Sequence, residues 1–111
     1  MSSGEGAPRH TAADARRALR AVVRGQVQGV GFRWFAQRMA SRLELAGWVA
    51  NRADGSVEVL AEGPESDLAA LLTALREGPS SAQVTEVEVT WLAPRGQPAG
   101  FAIRSGSHSG D

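Results

Sequence analysis

The apolar residues of this chain recur at two different spacings, and the order in which those spacings alternate limits its fold more than any other feature. Over residues 19–27, Leu19, Ala21, Val23, Gly25 and Val27 alternate with Arg20, Arg24 and Gln26, the period of a strand with one buried face. Phe32, Phe35, Ala36, Met39, Ala40 and Leu43 then return every three or four residues, with Gln37, Arg38, Ser41, Arg42 and Glu44 between them. That spacing predicts an amphipathic helix, which stops near Gly47. Two extended runs, residues 48–51 and 56–62, flank Asp54-Gly55. Glycine accepts the positive φ of a tight hairpin, so these two strands are expected to be antiparallel. Pro64 opens a second helix where a missing N–H costs nothing, and Glu65 and Asp67 suit its positive end. Leu68, Leu71, Leu72 and Leu75 form its buried stripe, and Gly78-Pro79 ends it. Val87, Val89 and Trp91 alternate with Glu86, Glu88 and Thr90. After a Pro- and Gly-rich turn over residues 93–100, Phe101 and Ile103 predict a short closing strand.

The order is therefore βαββαβ with one short extra strand. Two right-handed β–helix–β crossovers with a hairpin between them build an α+β, ferredoxin-like sandwich: an antiparallel sheet with both helices on one face. At 111 residues, with 42% hydrophobic and 22% charged residues, the chain is expected to form one domain, residues 18–104. Residues 1–17 and 105–111 are small and polar without a sustained apolar period and read as mobile tails. The chain contains no cysteine, which excludes disulfides, thiolate metal sites and cysteine nucleophiles. Both histidines, His10 and His108, fall in the tails. No apolar stretch approaches the roughly 18 residues of a membrane span, and the N-terminus has no signal core, so a cytoplasmic location is expected.

All twelve basic residues are arginine and twelve acids balance them. The all-arginine usage reads as compositional bias rather than function. Their distribution is lopsided: residues 1–55 hold nine arginines against four acids, net plus five, and residues 56–111 hold three against eight, net minus five. An anionic ligand would be drawn to the first half.

That half contains Gln26-Val27-Gln28-Gly29-Val30-Gly31-Phe32-Arg33, which joins the first strand to the first helix. Two glycines can turn successive N–H groups toward one point, a helix N-terminus adds positive potential there, and Arg33 offers a planar fork of donors. Such a loop is either a cradle for a tetrahedral anion or a tight turn followed by a solvated arginine. It lacks the Gly-Lys-Ser/Thr ending of a nucleoside-triphosphate loop. Asn51, before the hairpin, has a carboxamide able to hold a water by two hydrogen bonds, or to satisfy local backbone. Trp48, Trp91, Phe32, Phe35 and Phe101 fall on apolar phases and are expected in the core, whereas Trp34 lies off its helix's stripe. Arg20 and Arg24 are either a basic edge to the loop or, as favoured here, the polar face of the first strand.

The run Val23-Arg24-Gly25-Gln26-Val27-Gln28-Gly29-Val30-Gly31-Phe32-Arg33, followed by Gly47-Trp48-Val49-Ala50-Asn51, Gly55-Ser56-Val57 and Gly63, resembles the two signature segments of the acylphosphatase family. Their order and spacing agree over residues 18–104. The resemblance implies the ferredoxin-like fold and hydrolysis of acyl phosphates to carboxylate and inorganic phosphate. It further implies that Arg33 binds the phosphate, that Asn51 positions the attacking water, and that the backbone N–H groups of Gln28, Gly29, Val30, Gly31 and Phe32 form the cradle.

Chemistry by elimination agrees with that expectation. The body offers no cysteine, no histidine and no Asp-x-Asp pair, so residues for a covalent phosphoenzyme or a metal cluster are lacking. Direct attack by water without a general base is fast only if the leaving group departs easily. A carboxylate, whose conjugate acid has a pKa of about 4 to 5, needs no proton donor. The expected enzyme is thus free of metal and cofactor; the resemblance implies a small acyl phosphate or a phosphorylated protein carboxylate as substrate, and a monomer is expected. One competing reading is an RNA-recognition module, but the third strand, Ser56-Val57-Glu58-Val59-Leu60-Ala61-Glu62, carries two acids and no aromatic. Another is the fused domain at the start of hydrogenase-maturation carbamoyltransferases, disfavoured because the chain is short.

Overall fold

The computed structural model describes residues 14–105; most of both expected tails, with His10 and His108, lies outside them. The elements run β1 (Arg16–Gln26), α1 (Phe32–Arg42), β2 (Ala46–Asn51), β3 (Val57–Pro64), α2 (Glu65–Glu77), β4 (Gln83–Leu92) and β5 (Phe101–Arg104). They form one five-stranded sheet in the order β4-β1-β3-β2-β5. β1 pairs antiparallel with β3 and β4, and β2 pairs antiparallel with β3. The sheet is mixed, because the short closing strand β5 joins β2 in parallel.

Both helices cover one face. Leu19, Ala21 and Val23 of β1, Val49 of β2, and Val57, Val59 and Ala61 of β3 are fully buried against Phe32, Ala36 and Ala40 of α1 and Leu68, Leu71 and Leu75 of α2. At about 1.5–3 kcal/mol per buried leucine, the stripe on α2 anchors a helix that has no side-chain N-cap. α1 ends at Arg42, earlier than the sequence suggests, with Glu44 in a left-handed conformation at φ 57°. Gly47 instead lies within β2, at φ 148°, where a Cβ would collide with the carbonyl of Leu60.

The opposite face sets ion pairs among small and apolar residues such as Ala18, Val22 and Leu60. Arg20 Nε lies 2.6 Å from Glu58, and Arg24 lies 3.0 Å from Glu88 and 3.5 Å from Asp54. The two arginines thus belong to the polar face of β1. Trp48 is a correction. Ala46, Trp48 and Ala50 point to this open face while Gly47, Val49 and Asn51 point to the helices, and Trp48 is half-buried beneath Arg104, 4.7 Å from its ring. Trp91 does face the helices, but on an edge strand, so it too is half-buried, with Arg17 stacked 4.7 Å away. Phe32 and Phe101 are buried and Phe35 half-buried.

Candidate active site

β1 and β2 run parallel on either side of β3, and β5 runs parallel to β2. All three therefore end on the same side of the molecule. The loop after β1, the last residue of β2 and the last residue of β5 are brought together there without any long excursion of chain. Asn51 shares the helix-facing side of β2 with Val49 and is 6% exposed, so its carboxamide lies under the start of α1.

The loop over residues 27–31 is shaped by Gly29 (φ 77°) and Gly31 (φ 82°). A Cβ at either position would meet nothing within 4 Å. What these positions require is the left-handed backbone, which costs other residues about 1–2 kcal/mol. Gly31 is the N-cap of α1, has no side chain to close the helix end, and no acid occupies the first turn. The first N–H groups of a helix have no partner within it and carry partial positive charge. α2 differs, with Glu65 and Asp67 in its first turn.

Three contacts fix the loop. Val27 is buried at its start. Gln28 Nε2 donates to the carbonyls of Arg52 at 2.7 Å and Ser56 at 2.9 Å, on the hairpin that follows Asn51. Ser81 Oγ donates to the carbonyl of Val30 at 2.8 Å. Phe32, 1% exposed and 5.7 Å from Phe35 between ring centroids, pins the first helical residue into the core and so sets the direction in which Arg33 leaves the helix. Arg33 Nη1 donates to the carbonyl of Arg104 at 2.8 Å.

The outcome is a cleft of about 120 Å³ lined by Val27, Gly29, Gly31, Phe32, Arg33, Trp34 and Asn51. Arg33 and the loop glycines thus meet Asn51, which lies beyond a whole helix in the chain, at one site. Val30 and Gln28 shape the loop from outside that lining. Two features escaped the sequence: the Gln28 side chain, expected only for its backbone, and the Arg104 carbonyl. A glutamine between the glycine turn and the strand was a signal for the first; a backbone carbonyl has no residue signature. Among the described residues, no three His, Asp or Glu side chains gather as a metal site, and no helix is long and apolar enough to cross a membrane.

The acylphosphatase family model matches residues 19–103. The chain belongs to the acylphosphatase family. It is accordingly an enzyme of the hydrolase class. An acylphosphatase of Koribacter versatilis is 52% identical to it over 84 residues, 76% of this chain and 76% of that relative. The crystal structure of acylphosphatase from Bacillus subtilis matches with a TM-score of 0.77 and 44% identity, covering 79% of this chain and 98% of that one. Full-length HypF in its phosphate- and nucleotide-bound form matches with a TM-score of 0.78 and 28% identity, covering 87% of this chain but 13% of that one. Acylphosphatase relatives and the HypF segment thus share the ferredoxin-like frame on which the cleft is built.

Proposed function

We propose that the chain hydrolyses acyl phosphates without metal or cofactor, as a cytoplasmic monomer, by one-step attack of water on phosphorus. The observation that carries this reading is the convergence of Arg33, Asn51 and the Gly29–Gly31 turn in one cleft at the uncapped N-terminus of α1. The backbone N–H groups of Gln28, Gly29, Val30, Gly31 and Phe32, with the Arg33 guanidinium, hold the phosphoryl oxygens and stabilise the charge spread over them during transfer. Asn51 holds the water in line with the scissile bond. A water oxygen bonds to phosphorus, the bond from phosphorus to the acyl oxygen breaks, and the carboxylate departs with the electron pair. The water's proton passes to a phosphoryl oxygen, giving inorganic phosphate.

The open face supports this reading over nucleic-acid binding. On that face β1 and β3 present Arg20, Arg24 and Glu58 and no aromatic, both arginines are ion-paired, and the aromatic there, Trp48 of β2, is half-buried beneath Arg104.

Release of phosphate from benzoyl phosphate in the presence of a chelator tests the proposal. Wild type turns over, and Arg33→Ala loses at least about 3 kcal/mol of transition-state stabilisation, the size of one preorganised donor or more. Asn51→Ala lowers turnover more than it weakens inhibition by inorganic phosphate. Collapse of phosphate affinity in Asn51→Ala with turnover intact would reverse the two roles, and a folded but inactive wild type would refute the hydrolase mechanism.

A further inference from the structure

The cleft holds little more than a phosphoryl group and its water, so the rest of any substrate must leave across its rim. Trp34 stands on that rim. It lines the same cleft as Arg33 and Asn51, and at 62% exposure it is the one large apolar side chain left exposed among the described residues. Folding does not account for it: Phe32, Ala36 and Ala40 make the buried side of α1, and Trp34 is out of phase with them. Consecutive residues of an α-helix are about 100° apart around its axis. The Arg33 guanidinium and the Trp34 indole therefore diverge from adjacent positions, one reaching toward the strand ends at Arg104 and the other flanking the cleft.

Resting on the hydrolase reading above, we propose that Trp34 is a specificity-determining residue whose indole packs against the acyl group. The preferred substrates are then small acyl phosphates with a flat, apolar acyl part. An aromatic ring has the most to gain there, because offset or edge-on contact between rings adds to simple burial, whereas an acetyl methyl covers little of the indole. The contact touches the leaving carboxylate's substituent and not the phosphorus, so it discriminates between substrates by their acyl part.

The test compares kcat/KM for benzoyl phosphate and acetyl phosphate in wild type, Trp34→Ala and Trp34→Phe, using the ratio of the two substrates so that their different intrinsic reactivities cancel between variants. In parallel, dissociation constants are measured by calorimetry for phenacylphosphonate and acetonylphosphonate, in which a methylene replaces the scissile oxygen and no hydrolysis occurs. The expected result is a fall of about five- to tenfold in both ratios for Trp34→Ala, with most of the preference restored in Trp34→Phe. Turnover of both substrates with neither ratio changed in Trp34→Ala would overturn the subsite and leave the hydrolase reading standing. A wild type that hydrolyses neither substrate, yet binds phenacylphosphonate more tightly in a Trp34-dependent way, would support the subsite and refute the reaction. No hydrolysis and no Trp34-dependent difference would overturn both.

Discussion

Arg33 Nη1 donates to the backbone carbonyl of Arg104 across 2.8 Å, so the second residue of the first helix is held by the last residue of the last strand. A guanidinium carries five donors, and committing one to a fixed acceptor leaves the rest of the fork oriented rather than swinging. Gln37, one turn further along α1, donates in the same way to the carbonyl of Phe101 at 3.3 Å. The short strand β5 thereby serves as the rail against which α1 and its arginine are set.

The acceptor is a backbone atom, and that separates two variants. Arg104→Ala keeps the carbonyl and removes only the stacking on Trp48, so kcat/KM for benzoyl phosphate should stay within about threefold of wild type. A chain ended after Ile103 loses the acceptor and should fall by about tenfold or more, the size of a hydrogen bond to a charged group. Equal losses in both would show that the arginine side chain, not the carbonyl, matters.

Gln28 ties the glycine turn to the hairpin beyond Asn51 through two carbonyls, and so fixes the spacing between the two halves of the site. The Arg52 carbonyl also accepts from Gly55 N–H and the Ser56 carbonyl from Arg52 N–H, so Gln28→Ala removes one of two donors from each and should cost about 0.5–1.5 kcal/mol of stability, and lower turnover with it. Gln28→Glu should be worse at pH 7, because its carboxylate faces two carbonyl oxygens. Urea unfolding at pH 7 and near pH 4 checks the cause: the protonated acid can donate, so the gap to wild type narrows at low pH. A gap that does not change with pH would sink this account.

The sequence made the element order legible because the two helices and their flanking strands carry different apolar periods, and it singled out Arg33 and Asn51 because one opens a helix after a glycine turn and the other ends a strand before a hairpin, in a recognisable pattern. The face of Trp48 was not legible. In β2 the residues on both sides, Ala46, Gly47, Val49, Ala50 and Asn51, are all buried, so there is no alternation from which to read a phase. The direction of β5 was hidden as well, since a connection of eight residues can return a strand to either edge of a sheet. With β5 unplaced, the acceptor for Arg33 could not be foreseen.

Asp54, in the hairpin, accepts from both the hydroxyl and the backbone N–H of Ser56. These bonds, helped by the charges of Arg52 and Arg24, lower its pKa from 3.8 to about 2. A carboxylate depressed in the folded state contributes stability that is fully present above its unfolded pKa and is lost as the pH falls through the folded value. Wild type should therefore lose stability between about pH 4 and pH 2. Asp54→Asn keeps an oxygen acceptor but not the titration, and should show a flatter profile there. Parallel profiles by urea unfolding across that range would rule Asp54 out as the source.

Glu62 of the central strand β3 is 2% exposed, yet its carboxylate is not stranded: it accepts backbone N–H groups from Arg95 at 2.7 Å, Gly96 at 3.0 Å and Gln97 at 3.1 Å. Burial alone would raise its pKa, but these three donors and the charge of Arg16 overbalance it, and the pKa is lowered. Those donors belong to the connection between β4 and β5, which lie at opposite edges of the sheet. The chain must cross the open face between them, and Glu62 is its anchor midway. Loosening that anchor frees β5, and with it the carbonyl that holds Arg33. Glu62→Gln sets an NH₂ group against a cluster of N–H donors, and should cost about 1–3 kcal/mol in urea unfolding at pH 7. It should also lower kcat/KM for benzoyl phosphate although Glu62 does not line the cleft. Because the folded pKa is the lower one, wild type should lose its advantage over Glu62→Gln as the pH falls through the carboxylate range. A variant equal to wild type in stability and turnover would show that the crossing connection is held by its other contacts.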